Sequence, residues 1–191
     1  MRIAVSGTHS VGKSTLVADI HRTYDKFIHE EEPYRALRDI YPIKFGKEST
    51  RYCNGIQCFY NISRVQQYRS SADHVIFDRC PVDYIAYSIY TAHHRQTDLD
   101  MAFVKSLVKP VREALQFIDV IAFVPVSREH PIHLENDGIR PVDKDYRWDV
   151  DHQFKRIYRE GLHDLLGKGP KLVEVTGSRY ARIEQLRMYL H

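Results

Sequence analysis

The sequence predicts an α/β fold, a three-layer sandwich with helices on both faces of a five-stranded parallel sheet. Three observations predict it. Short apolar runs at 2–6, 27–29, 74–78, 118–126 and 171–175 alternate with segments of helical periodicity. Parallel strands need long crossover connections, and the segments between the runs supply helices for that purpose. Between the first run and the first helix stands "GTHSVGKST", in which four residues separate Gly7 from Gly12-Lys13-Ser14. The chain of 191 residues has no repeat, low-complexity block or linker, so one domain over 1–191 is expected.

The elements follow in order. "RIAVS" (2–6) is a short buried strand, and "KSTLVADIHRTYDKF" (13–27) is a helix with Leu16, Ile20, Tyr24 and Phe27 on one face. A strand end around 27–29 leads to Pro33, which is expected to break regular structure. Residues 35–49 are mixed and partly helical; 55–72 form a helix. "HVIFD" (74–78) is a buried strand, and a helix follows Pro81. Residues 100–116 are helical, with Pro110 expected to kink or interrupt them. "IDVIAFVPV" (118–126) is the most apolar strand. A polar, lid-like loop then covers 127–147, a helix 148–166, a last strand 171–175 and a closing helix 178–190.

In such sheets ligands gather beyond the carboxyl ends of the strands, which puts the phosphate loop, "EEEPYR", "DRCPVD" and "TGSR" in one cleft. In the loop, glycines let backbone N–H groups converge, and the following helix aims its positive dipole end at the same point. Gly7, His9, Ser10, Val11, Gly12, Lys13, Ser14 and Thr15 would hold a nucleoside triphosphate, with Lys13 on the β/γ-phosphates and Ser14 on Mg²⁺. Asp78 ends a strand as a partner for that ion, and Arg79 beside it can fork onto phosphate oxygens. Glu30, Glu31 and Glu32 end another strand, and one carboxylate there can take an acceptor's hydroxyl proton. Pro33 singles out Glu32 by holding it extended, and Arg35 follows on the acceptor side. Gln57, Tyr60, Asn61, Arg64 and Tyr68 recur at helical spacing, a face able to stack a planar base and bond its edge. Arg128, Arg140 and Arg147 stand in the polar loop, where arginines can close over a transferring phosphoryl group.

These residues resemble P-loop kinases of the thymidylate and deoxynucleoside kinase branch, and the nicotinamide-riboside-kinase type of ATPase domain. "SGTHSVGKST" is similar to the phosphate loop of that branch, Glu32-Pro33 to the pair that meets the acceptor, and "DRCPVDYIAY" to its "DR…AY" stretch, with Asp78, Arg79, Ala86 and Tyr87 matching. The resemblance implies sheet order 2-3-1-4-5, loosely assigns Arg140 and Arg147 as lid arginines, and sets Gly177 and Ser178 of "VTGSR" near the adenine. Cys80 replaces the serine or tyrosine usual after the Asp-Arg pair, and no Arg-x-Arg stands in the lid, so the acceptor does not carry over.

The expected activity is therefore ATP- and Mg²⁺-dependent phosphoryl transfer to a small nucleoside, nucleotide or related acceptor. A regulatory NTPase, a binding module without turnover and a polynucleotide-end kinase are the alternatives. "VDKD" (142–145) lies in the loop rather than at a strand end, so it is no guanine signature. A mechanical ATPase would end its strand in Asp-Glu rather than Asp78-Arg79. A net charge of +3 without a basic stripe argues against long nucleic acid, leaving only an end as substrate. Cys53, Cys58 and Cys80 are odd in number and lack metal spacing, which suits free thiols in the cytoplasm. "HPIH" (His130, His133) has no second ligand pair and reads as a solvated loop. No apolar run approaches a membrane span, and no signal sequence opens the chain; the sequence leaves the oligomeric state open, a homodimer included.

Overall fold

The computed structural model describes residues 1–70, 72–131 and 143–191. Strands β1 (Arg2–Ser6), β2 (Ile28–Glu30), β3 (Val75–Asp78), β4 (Val120–Phe123) and β5 (Lys171–Glu174) form one parallel sheet in the order β2-β3-β1-β4-β5. β1 is central, with Val5 opposite Asp78 on one side and Ala122 on the other. Both faces of the central strands are covered, so their residues are apolar without alternation. Ala4, Phe77, Ile121 and Phe123 face a core built by α3 (Arg51–Gln67), α4 (Pro81–His94), α5 (Met101–Leu115) and α6 (Lys144–Glu160). Ile3, Val5, Ile76 and Ala122 face the opposite core, closed by α1 (Lys13–Thr23) and α7 (Arg179–Leu190).

Several boundaries differ from those expected, each for a local reason. α1 ends at Thr23, because the Tyr24 N–H closes the last turn on Ile20 O and the chain turns there. Phe27 still reaches the same core, from the turn that leads into β2. Pro33 does not break regular structure; it opens the short helix α2 (Pro33–Leu37), where its missing N–H is harmless. α3 begins four residues early, at Arg51, because Thr50 Oγ1 accepts the Cys53 N–H at 3.1 Å. Pro110 leaves α5 uninterrupted, since the burial of Val104, Leu107, Val111 and Ala114 outweighs one lost backbone bond. α6 starts inside the segment read as loop, because Asp143 accepts from the N–H groups of Asp145 and Tyr146. It stops at Glu160, where Gly161 takes φ +73° before a 3₁₀ turn at Leu162–Asp164. β4 is confined to Val120–Phe123, while Val124 and Val126 stay buried beyond it.

The three cysteines are buried free thiols. No helix among the described residues is long and apolar enough to cross a membrane.

Gly7 joins the sheet to the phosphate loop in a way only glycine allows. Its φ is +139°, and a Cβ there would stand 2.4 Å from Val124 O at the end of β4. Gly7→Ala is expected to lose about 3 kcal/mol of stability through strain and backbone clash. Urea unfolding checks this, and an unchanged midpoint would show that the loop can relax away from β4.

Candidate functional site

The loop from Gly7 to Gly12 leaves the central strand and enters α1, with Gly12 at φ +82° as the helix's N-cap. Four of its carbonyl oxygens accept from cationic side chains, while Gly12 O accepts from the Leu16 N–H inside α1. Gly7 O accepts from Arg79 Nη1 at 3.2 Å, Ser10 O from Arg147 Nη1 at 3.3 Å, and Val11 O from Arg182 Nη1 at 2.8 Å. Thr8 O accepts from Lys13 Nζ. Lys13 is almost wholly buried, and burial, with Arg79 second, pushes its ammonium well below the ordinary lysine range against the pull of Asp83, Asp78 and Glu32. Ser14 and Thr15 are exposed on the first turn of α1.

Arg79 connects this loop to Glu32. Its Nε and Nη2 donate to Glu32 Oε1 at 2.9 and 2.6 Å, and its Nη1 approaches Asp83 Oδ2 and the Tyr87 hydroxyl at 3.4 Å each. Against the cost of burial, Glu32, Tyr87 and Asp83 hold the guanidinium firmly charged. Its φ of +123° is a strained value for a residue with a side chain, sustained by these partners. Behind it, Ser6 Oγ donates to Asp83 Oδ1 at 2.5 Å and meets the Tyr158 hydroxyl at 2.6 Å. Burial raises the Asp83 carboxyl, while Arg79 and Lys13 draw it back.

Glu32 and Arg79 line a cavity with His9, Phe45, Gly46, Ser49, Asn54, Gln57, Tyr84, Tyr87, Thr91 and Tyr146. His9 and Tyr146 stack at 4.8 Å. The amides are anchored: Asn54 Nδ2 donates to Ser88 Oγ at 3.1 Å, and Gln57 Nε2 to Cys53 O at 2.9 Å. A second cavity, on the α1 and α7 side, is lined by Gly12, Thr15, Leu16, Asp19, Gly177, Ser178, Arg179 and Arg182.

The remaining sequence-predicted residues are placed as follows. Asp78 is buried at the end of β3, and its Oδ1 has no hydrogen-bond partner among the described residues. Such an oxygen, with the exposed Ser14 hydroxyl on the first turn of α1, fits a hydrated divalent cation shared with phosphates, which needs few protein ligands. No cluster of three or more His, Cys, Asp or Glu suited to a metal occurs among the described residues. Arg147 sits in the first turn of α6 and not in a loop, because the Asp143 cap starts the helix before it. Burial lowers its basicity, with Asp151 opposing. Arg140 lies outside the described residues, as does His133. Arg128 packs over the Trp148 ring.

Of the residues expected to bind an acceptor, Gln57 lines the cavity, whereas Tyr60, Arg64 and Arg35 do not. Arg35 is exposed on α2. Arg64 is committed to Glu30, with Nε and Nη2 donating to its two oxygens at 2.7 and 2.5 Å and the Tyr68 hydroxyl adding a third bond. Glu31 is exposed, so of the three glutamates only Glu32 lines the cavity. Sequence reasoning missed Ser49, Asn54, Thr91, Tyr146 and Arg182. It also gave Asp83 no role, although the Arg79–Asp83 spacing of i,i+4 on a helix start was a readable signal.

A family model described as "AAA domain" matches residues 2–178, and the chain belongs to that family. No curated protein matches it. Among solved structures, the NadR protein in complex with NR superposes with a TM-score of 0.66 at 18% identity over 98% of this chain and 51% of its own, so this chain spans about half its length. Deoxyadenosine kinase from M. mycoides, with products dCMP and dCDP, gives 0.65 at 15% identity over 100% and 98%. Thymidylate kinase from Candida albicans gives 0.60 at 13% over 99% and 90%. The chain therefore has a P-loop kinase-like fold, with the sheet order that the resemblance implied.

The Arg64–Glu30 pair carries a pH signature. Burial alone would raise the Glu30 carboxyl, but Arg64 and Tyr68 overrule it and hold the group below the ordinary glutamate value of 4.5. A depressed folded value stabilises above the unfolded one and stops doing so as pH falls through the folded one. Arg64→Met is thus expected to be less stable than wild type at neutral pH, with the gap closing below pH 4.5. Urea unfolding from neutral pH to about pH 3 checks it. A gap that ignores pH would mean that Arg64 acts through packing alone.

Proposed function

We propose that this protein transfers the γ-phosphoryl group of ATP to a hydroxyl of a small acceptor carrying a planar ring, of the nucleoside type. The observation that carries the reading is the Glu32–Arg79 pair, which lies between the phosphate loop and a cavity walled by rings and amides. The ligands of the structural relatives, NR for NadR and dCMP and dCDP for the deoxyadenosine kinase, support the chemical class without fixing the acceptor.

Each side chain then has a task. Lys13 and the loop N–H groups bind the β/γ-phosphates. Glu32 takes the acceptor's hydroxyl proton as the oxygen bonds to the γ-phosphorus and the bond to the β–γ bridging oxygen breaks, releasing ADP. Arg79 orients Glu32 and stands ready to meet charge on the transferring group. Ser14 and Asp78 would hold Mg²⁺, which when bound neutralises phosphate charge. Rings of Phe45, Tyr84, Tyr87 and Tyr146 stack the acceptor while Gln57 and Asn54 read its edge. A hydroxyl acceptor is favoured over a monophosphate because the only lysine or arginine among the described lining residues is Arg79, already paired with Glu32. A phosphate would need a cation of its own.

The experiment is transfer of labelled phosphate from ATP to a panel of nucleosides, nucleoside monophosphates and oligonucleotide ends. Nucleosides are expected to be labelled, and Lys13→Ala to abolish the label. Exclusive labelling of monophosphates or of oligonucleotide ends would replace this acceptor class. With an acceptor in hand, Glu32→Gln is expected to keep MgATP binding near normal and slow single-turnover transfer by about a hundredfold or more, since the amide cannot accept the proton. Full-rate transfer by that variant would remove Glu32 as the base.

A further inference from the structure

We infer that Arg182 is a positioning residue that fixes the spacing between the phosphate loop and the loop after β5, so that a nucleoside triphosphate meets one preformed site instead of two separate ones. The inference rests on the ATP-binding reading above and adds a residue that reading does not use.

Arg182 lies in the first turns of α7, on the far side of β1 from the acceptor cavity. Its side chain reaches back over the sheet's end. Nη1 donates to Val11 O at 2.8 Å and Nε to Gly177 O at 3.1 Å, so one rigid guanidinium joins two loops that are distant in sequence. The same residue lines the second cavity, between Gly12 and Thr15 on one wall and Gly177 and Ser178 on the other. The loop it grips is itself constrained. Gly177 has φ +87°, a Cβ there would meet Ala181 Cβ at 3.3 Å, and Ser178 Oγ accepts the Ala181 N–H at 3.2 Å.

Arg182 is only 7% exposed, and no carboxylate among the described residues pairs with it. Its burial lowers its basicity, and no neighbouring acid compensates. A buried cation held only by carbonyls is a costly way to pack a helix against a loop. The charge acts where a neutral side chain could not. Donation to Val11 O polarises the peptide between Val11 and Gly12, whose N–H belongs to the phosphate loop, and so makes that N–H a stronger donor to an anion. The uncompensated charge also raises the potential in the cavity between the two loops.

Binding can be measured by calorimetry with MgATP and with magnesium tripolyphosphate, which carries the phosphates without the nucleoside. Wild type is expected to prefer MgATP. In Arg182→Met, MgATP affinity is expected to fall by about thirtyfold and tripolyphosphate affinity by about threefold, so the preference shrinks about tenfold. Arg182→Lys keeps the charge beside Val11 but cannot span both carbonyls. It is expected to bind tripolyphosphate like wild type and still lose most of the preference. A purely structural role would lower the melting temperature and leave the ratio of the two affinities unchanged. An unchanged ratio in the folded Lys variant therefore overturns the inference, even if the Met variant fails to fold. Equal losses on both ligands overturn it as well. Wild-type protein that binds neither ligand defeats the ATP reading itself, and this inference with it.

Discussion

The structure depends on the outward rotation of the phosphate loop's carbonyl groups. Four of them, on Gly7, Thr8, Ser10 and Val11, end on Arg79, Lys13, Arg147 and Arg182. A peptide whose oxygen is fixed on one side has its N–H fixed on the other, so these cations orient the N–H groups of the loop. The four side chains come from the end of β3, from α1, from α6 and from α7. The loop's shape is thus a property of the assembled domain and not of nine residues in isolation. The sheet order makes this possible, because a central β1 releases its loop within reach of elements on both faces.

That position also divides the site. The cavity beside Glu32 belongs to the face covered by α3, α4 and α6, and the cavity beside Gly177 to the face covered by α1 and α7. The phosphate loop runs between them, so a triphosphate bound along it would present its terminal group to one side and its nucleoside to the other. Arg79 serves the first cavity as Arg182 serves the second. Each spans from a loop carbonyl to the structure on its own side, Glu32 in one case and Gly177 in the other.

Much of this was legible in the sequence because it is local. The spacing around Gly7 and Lys13, the apolar runs and Glu32 before Pro33 all express short-range rules that the structure obeys. Strand order was not local, and came from resemblance to a known branch. The failures share a cause. Periodicity put Gln57 and Arg64 on one helical face, but that face runs past two different neighbours, so Gln57 meets the cavity and Arg64 meets Glu30. Polarity alone made a loop of the segment holding Arg147, where Asp143 in fact caps a helix. Pro110 was given its usual weight as a breaker and lost to a buried helical stripe. Arg182 carried no signal at all, since an arginine on an amphipathic helix near the end of a chain looks like solvent-facing charge.

The central place of β1 has a consequence during synthesis. It is the earliest strand in the chain, yet both of its edges are paired only by later ones, Ile3 with Ile76 on one side and with Val120 on the other. A growing chain on the ribosome therefore carries a largely apolar strand with both edges open until β3 has emerged, and one edge open until β4 has. Local helices can form early, but the phosphate loop cannot take its working shape before α6 and α7 deliver Arg147 and Arg182. The phosphate loop is thus made before strands β2 to β5 and takes its shape only after α7 has been made.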